Sequence, residues 1–130
     1  MPELPEVETV RTGLASSWTG KRVDGLELRR EGLRFPFPDD LENRLVGTRI
    51  VKVRRRAKYL LIDLDSGDVL LSHLGMSGRW TLDSSDSEGK HDHVVVHLDD
   101  GTMSVYNDPR RFGMLDIYDG ESHKLLDHLG

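Results

Sequence analysis

The sequence predicts a mainly β fold with flanking helices: a two-layered β-sandwich fronted by an amino-terminal helix. Three observations lead there. Seven or eight short apolar or β-branched stretches recur along the chain. Turn-forming residues separate them at regular intervals. A single long amphipathic stretch stands ahead of them all. The 130 residues suffice for one domain, 1–130, with a real core.

Residues 5–18 read as the helix. Leu4, Val7, Val10, Leu14 and Trp18 recur at spacings of three and four and make one apolar arc, with Glu8, Arg11 and Thr12 on the wet face opposite. Pro5 and Glu6 suit its first turn, and Gly20 is a stop. Val23 to Leu28 is a strand. Residues 31–40, with Gly32, Pro36 and Pro38, bend rather than pair. Asp39 to Leu45 is a short helix capped by Asp39 or Asp40. Ile50, Val51 and Val53 begin a strand, which turns near Arg55–Lys58 into the apolar strand Tyr59 to Leu64. Asp65 to Asp68 is a turn into Val69 to Leu74. Gly75 to Gly78 interrupts before Arg79 to Leu82 resumes. Residues 83–89 are short, polar side chains. His93 to Leu98 is β-branched, Asp99-Asp100-Gly101 signals a tight hairpin into Thr102 to Asn107, and Met114 to Tyr118 is the last strand. Residues 121–129 read as helix.

Composition narrows the function. There is no cysteine, hence no disulfide framework and no thiolate metal site. No apolar run reaches membrane-spanning length, and the amino end is not a signal peptide, so a soluble cytoplasmic protein is expected. The net charge of −5 is unevenly spread. Residues 1–58 carry thirteen Lys and Arg against nine Asp and Glu, or +4; residues 59–130 carry five against fourteen, or −9. Arg49, Lys52, Arg54, Arg55, Arg56 and Lys58 concentrate the positive charge. They read equally as a phosphate-facing stripe or as an edge strand guarded by charge.

The amino end carries the sharpest chemistry. Removal of Met1 would leave Pro2 with a free secondary amine. Its pKa near roughly 8 keeps a useful fraction unprotonated at neutral pH. A secondary amine condensed with an aldehyde-level carbon gives an iminium, cationic without a proton and therefore an electron sink. Glu3 stands beside it as a proton donor. The plainer reading is a helix start, and the two are compatible.

Met1-Pro2-Glu3-Leu4-Pro5-Glu6-Val7-Glu8-Thr9-Val10-Arg11 resembles the amino terminus of bacterial formamidopyrimidine-DNA glycosylases, which excise oxidised purines. Further blocks match in the same order: Arg55-Arg56-Ala57-Lys58-Tyr59-Leu60-Leu61, His73 to Gly78, Lys90-His91-Asp92-His93-Val94, and Asp108-Pro109-Arg110-Arg111-Phe112-Gly113. The resemblance implies the same sandwich, with the helix carrying the catalytic terminus. It makes Pro2 the nucleophile at C1′ of the damaged nucleoside and Glu3 the acid that opens the sugar ring. A raised pKa for that acid needs partial burial or a negative neighbour, and Glu6 is the nearest. It makes Glu6 an arranger of the site, and Lys58 a proton donor in β-elimination and a phosphate contact. His91 and Arg110 fall where the family contacts DNA, with Arg56 and Arg111 in the same basic blocks. His73 supports the site or reaches a phosphate, or else is a satisfied core histidine. Met76, Arg110 and Phe112 match the trio that fills the hole left by an extruded nucleotide. Their setting in Gly- and Pro-bounded loops favours exposure over core. A metal pair at His91 and His93 is set aside, since no Cys or further acidic ligand stands nearby.

The resemblance further implies damaged double-stranded DNA as partner, a nucleoid-associated location in a bacterial cytoplasm, and a protein otherwise monomeric. The family continues into a helical domain with a helix-two-turns-helix element and a zinc finger; neither is in these residues, so no cofactor is expected here and activity is expected to be weak or absent. Two alternatives stay open: a non-catalytic DNA-binding module, and a glycosylase directed at oxidised pyrimidines.

Overall fold

The computed structural model describes residues 3–84, 89 and 91–120. In chain order they form α1 (Leu4–Trp18), β1 (Val23–Leu28), α2 (Leu41–Leu45), β2 (Ile50–Arg56), β3 (Tyr59–Leu64), β4 (Val69–His73), β5 (Arg79–Ser84), β6 (Asp92–Leu98), β7 (Met103–Asn107) and β8 (Met114–Tyr118). The predicted β-sandwich is therefore present. One sheet runs β1-β6-β7-β5, the other β2-β3-β4-β8, and every pairing is antiparallel. Pro2, Lys90 and the helix expected over 121–129 lie outside the described residues.

The pairings follow from local turns. Arg56 and Tyr59 close the β2–β3 hairpin, with Ala57 at φ 51°. Gly101, at φ 88°, closes β6 onto β7. Both turns need a left-handed residue to match the twist of the strands, which Gly supplies without strain and Ala does not. Inward-facing apolar residues of both sheets share one core: Val94, Val96 and Leu98 with Leu60, Ile62, Leu70 and Ile117. A smaller cluster of Leu61, Val69, Leu71 and Met114 covers the other face of the second sheet. That is why β3 and β4 read as apolar runs instead of alternating.

The helices close the sides that two open sheets leave. α1 packs against β2 and β5, an edge strand of each sheet, and α2 against β1 and β8, the opposite edges. Val7, Leu14 and Trp18 of α1 are buried, as the apolar arc required. Leu4 departs from that arc and is 45 % exposed, because the first turn overhangs the sheets. The opposite face departs too. Thr12 is exposed, but Glu8 and Arg11 are half-buried and ion-paired to one another at 2.7 Å. Gly20, at φ 86°, turns the chain out of the helix. Asp40 precedes α2 without capping it; its carboxylate lies 3.4 Å from Arg44 instead.

Aromatic contacts tie the helix to the sandwich interior. Trp18 Nε1 donates to Ser104 Oγ at 2.8 Å. The Trp18 ring meets Trp80 edge-on at 5.2 Å, and Trp80 leans on Tyr106 at 5.2 Å. Pairs of this geometry contribute about 0.5–1.5 kcal/mol each beyond their buried area.

Candidate nucleic-acid interface and reaction centre

The helix start positions Glu3. Glu3 holds the position before the first helical residue, and its carbonyl accepts the N–H groups of Glu6 and Val7, each at 3.0 Å. Residue 2 is thus joined to a positioned residue, although Pro2 itself is outside the described residues. Glu3 and Glu6 are both exposed. The partial burial expected around Glu3 is not supplied among the described residues, where Glu3, Leu4, Pro5 and Glu6 of the first turn are all exposed. Glu8 does find partners: Arg11 donates to both its oxygens at 2.9 and 2.7 Å, and Arg55 to one at 2.9 Å. Those hydrogen bonds hold its pKa down to about 2. They also fasten α1 to β2.

Three loops meet at one end of the sandwich. Arg34, His73, Gly75, Met76 and Phe112 line a pocket of about 390 Å³ there. Met76 is 51 % and Phe112 47 % exposed, so neither is a core residue. Gly75, at φ 64°, lets the two loops touch: a Cβ there would come within 2.5 Å of the Phe112 carbonyl carbon. His73 is half-buried against Tyr59, with ring centroids 4.8 Å apart. Its Nδ1 accepts the Gly75 N–H at 3.1 Å, which leaves the proton on Nε2. Burial, followed by the nearby Arg34 and Lys58 charges, pushes its pKa down, so the ring is neutral at pH 7. His73 is therefore a pocket residue. Lys58 is half-buried at the β2–β3 turn, and no carboxylate pairs with it among the described residues.

Asp108 joins two of these loops. It is fully buried, and each carboxylate oxygen accepts two hydrogen bonds. Oδ1 takes the Ser77 hydroxyl at 2.7 Å and the Arg111 N–H at 3.0 Å. Oδ2 takes the Tyr106 hydroxyl at 3.1 Å and the Gly113 N–H at 2.9 Å. Ser77 Oγ in turn accepts the Arg110 N–H at 3.2 Å. His93 is buried, and its Nε2 must donate to the Asp108 carbonyl at 2.8 Å. That bond occupies His93 structurally. The His91 and His93 rings lie 6.3 Å apart, and no three His, Cys, Asp or Glu gather to hold a metal among the described residues. His91 is half-buried, and its carbonyl accepts the Asp108 N–H at 3.0 Å. Arg110 and Arg111 are exposed, Arg111 at φ 55°.

The first 115 residues match the model of the formamidopyrimidine-DNA glycosylase N-terminal domain. The chain belongs to that family. It is 51 % identical to the formamidopyrimidine-DNA glycosylase of Ruegeria sp. (strain TM1040), covering 100 % of this chain and 50 % of that protein. It is also similar to wild-type Lactococcus lactis Fpg (MutM) in complex with DNA containing N7-benzyl-Fapy-dG, with a TM-score of 0.86 at 31 % identity over 98 % of this chain and 46 % of that one. Lactococcus lactis Fpg with DNA containing an abasic site matches with a TM-score of 0.79 at 33 % identity, over 90 % and 44 %. The chain spans about half the length of the curated relatives it matches. No helix among the described residues is long and apolar enough to cross a membrane.

Within this glycosylase domain the basic stripe is half neutralised. Arg54 forks onto Asp63 with both bonds at 2.7 Å, Arg55 serves Glu8, and Arg49 lies 3.7 Å from Asp99. Among the described residues Lys52, Arg56 and Lys58 have no carboxylate partner. β2 is an edge strand, which fits the reading of an edge guarded by charge. Sequence reasoning missed Arg34, whose N–H donates to the Gly113 carbonyl at 3.1 Å and whose side chain lines two pockets. The second pocket, about 540 Å³, brings Arg111 together with Arg29, Arg30 and Arg34. The Gly32–Pro36 bend was the available signal: bends that interrupt a sandwich present side chains at its end. The role of Asp108 was also missed, since one aspartate before a proline carries no sign of burial.

Proposed function

We propose that this chain is the amino-terminal, catalytic part of a bifunctional DNA glycosylase and abasic-site lyase that removes oxidised purines, including formamidopyrimidines, from double-stranded DNA. The observation that carries the reading is the pocket beside two abutting loops, with exposed Met76 and Phe112 on its rim, neutral His73 in its wall and Lys58 close by. Chemistry at C1′ requires the nucleotide to leave the stack. Apolar wedges replace the lost stacking, and an arginine such as Arg110 can bond the orphaned base. Arg56, Arg111, His91 and His73 would meet the DNA around them.

The reaction then belongs to Pro2. With Met1 removed, its nitrogen lone pair attacks C1′, the glycosidic electron pair leaves with the base, and the proton shed by the alkylated nitrogen passes through solvent to the departing base. Glu3 gives a proton to the ring oxygen, the ring opens, and the nitrogen forms an iminium to C1′. The iminium acidifies C2′–H. Loss of that proton expels the 3′ phosphate, with Lys58 as proton donor, and a second elimination expels the 5′ phosphate. Because Glu3 and Glu6 are exposed here, bound DNA would have to cover Glu3 and exclude water for it to act as the acid. Glu6 then acts as the negative neighbour. The structural zinc would belong to a finger outside these residues; the chain has no cysteine, its described residues do not fit the ion, and no step here runs through it. The relatives it resembles are bacterial, and a DNA substrate would place the protein at the nucleoid.

Borohydride trapping tests this. Chain with Met1 verified absent is incubated with an oligonucleotide carrying 8-oxoguanine or an abasic site. A covalent adduct mapping to Pro2, lost in Pro2→Gly and Glu3→Gln, is expected. The exposure of Glu3 favours a second reading, a non-catalytic DNA-binding module. That reading is preferred if both variants bind DNA like the wild type and no adduct forms beside a working full-length relative. Trapping on an oxidised pyrimidine in preference to 8-oxoguanine would move the substrate class.

A further inference from the structure

Met76, Arg110 and Phe112 sit on two loops separated by some thirty residues of chain, yet a wedge must arrive at the duplex as one object. We infer that the buried Asp108 carboxylate, with Ser77 and Tyr106, locks these loops into a single rigid unit, so that Asp108 is a positioning residue for nucleotide extrusion. This rests on the glycosylase reading.

Three independent features carry it. The carboxylate accepts one donor from the Met76 loop, Ser77 Oγ, and two backbone donors from the other loop, Arg111 and Gly113. The fourth donor, Tyr106, stands on β7 and anchors the pair to the sheet. The loops also close on the Tyr106 hydroxyl from both sides. A Cβ on Gly78 would lie 2.0 Å from it and one on Gly113 would lie 1.9 Å from it. Both positions thus require the absence of a side chain. Finally, Ser77 accepts the Arg110 N–H, so the backbone of the base-contacting arginine hangs from the Met76 loop. The glycines bring the loops together, and the carboxylate holds them.

Asp108→Asn is a severe change at constant shape. Four donors converge on the carboxylate, and an amide oxygen can serve only those on its own side. On the other side an NH2 group would face either the Arg111 or the Gly113 N–H, and a backbone donor cannot turn round to accept.

The test uses this chain with Asp108→Asn, Ser77→Ala and Ser77→Thr. Amide exchange without DNA comes first. Gly113 N–H bonds to the oxygen that Ser77 does not touch. Ser77→Ala is nevertheless expected to speed its exchange about ten-fold, the scale of one lost hydrogen bond, and Ser77→Thr is expected to restore it. Unchanged exchange at Gly113 in Ser77→Ala means independent loops and overturns the proposal. Borohydride trapping follows on two substrates. Asp108→Asn is expected to slow adduct formation on a lesion in duplex by about ten-fold or more at saturating protein, while a single-stranded abasic oligonucleotide, which needs no wedge, changes less than about two-fold. Equal loss on both substrates means general damage and overturns the positioning role. If wild-type chain traps neither substrate, the Pro2 chemistry fails, and the exchange result still decides whether the loops are coupled.

Discussion

Replacing Gly113 with alanine should cost far more than a methyl group usually does. Its φ lies outside the left-handed region, so backbone conformation is not what requires glycine there. Space is. The new Cβ would sit 1.9 Å from the Tyr106 hydroxyl, 2.7 Å from the His73 carbonyl oxygen and 3.0 Å from Asp108 Oδ2. Overpacking a rigid site costs about 1–3 kcal/mol. Driving the Tyr106 hydroxyl away also removes a donor from a buried carboxylate, another 1–3 kcal/mol or so. The sum, about 2–6 kcal/mol, is a large part of the 5–15 kcal/mol typical of a domain. Tyr106→Phe deletes the oxygen that makes the worst contact. The double variant should therefore be less damaged than the two single costs added, by about 1–2 kcal/mol. Relief stays partial, because the His73 carbonyl contact remains. Urea unfolding of the four proteins, read at constant slope, measures this. Additive costs, or a Gly113→Ala protein within about 1 kcal/mol of wild type, would refute the account of Tyr106 as the surface on which both loops close.

Other outcomes follow from named contacts. Glu8 has its carboxyl pKa lowered from 4.5 to about 2 by Arg11 and Arg55, so the stability it contributes is present above pH 4.5 and lost as pH falls toward 2. Glu8→Gln should flatten the acid limb of a stability–pH curve in that window, and added salt should shrink the difference, since the half-buried carboxylate is still reached by solvent. His73 has its pKa lowered from 6.5 by burial, so its contribution is present above pH 6.5 and falls away as the solution is acidified below it. NMR titration should find the ring still neutral slightly below pH 6.5, and His73→Gln should lose the corresponding pH dependence of stability. Ser104→Ala should destabilise the chain by about 1–3 kcal/mol by stranding the buried Trp18 N–H, and thermal unfolding will show whether it does.

Much of the fold was legible because its causes are local. The helix arc through Val7, Leu14 and Trp18, the Asp99–Gly101 turn, and the Gly75–Gly78 interruption each announce themselves within a few residues. The blocks around Lys58, His73, His91 and Arg110 were marked by the family resemblance and not by local pattern. What local pattern could not reach was which carboxylate meets which cation. Arg54, Arg55 and Lys58 look alike in sequence. Asp63 across the hairpin engages the first, Glu8 on the helix engages the second, and among the described residues no carboxylate engages the third. Leu4 belongs to the apolar arc by spacing, yet the sheets end before they cover it.

The sequence by itself determined the order of strands and turns, the single amphipathic helix and the family likeness. The first two depend on side-chain period and on residues that force or forbid a backbone conformation; the likeness rests on blocks of residues matched in order. Tertiary structure alone decided that Asp108 is buried, that it bonds Ser77 thirty-one residues away, and that Arg34 joins the pocket of His73 and Phe112. Burial and hydrogen-bond partnership are properties of neighbours distant in sequence. Nothing in a stretch of chain records them until the two sheets have paired and the loops at their end have met.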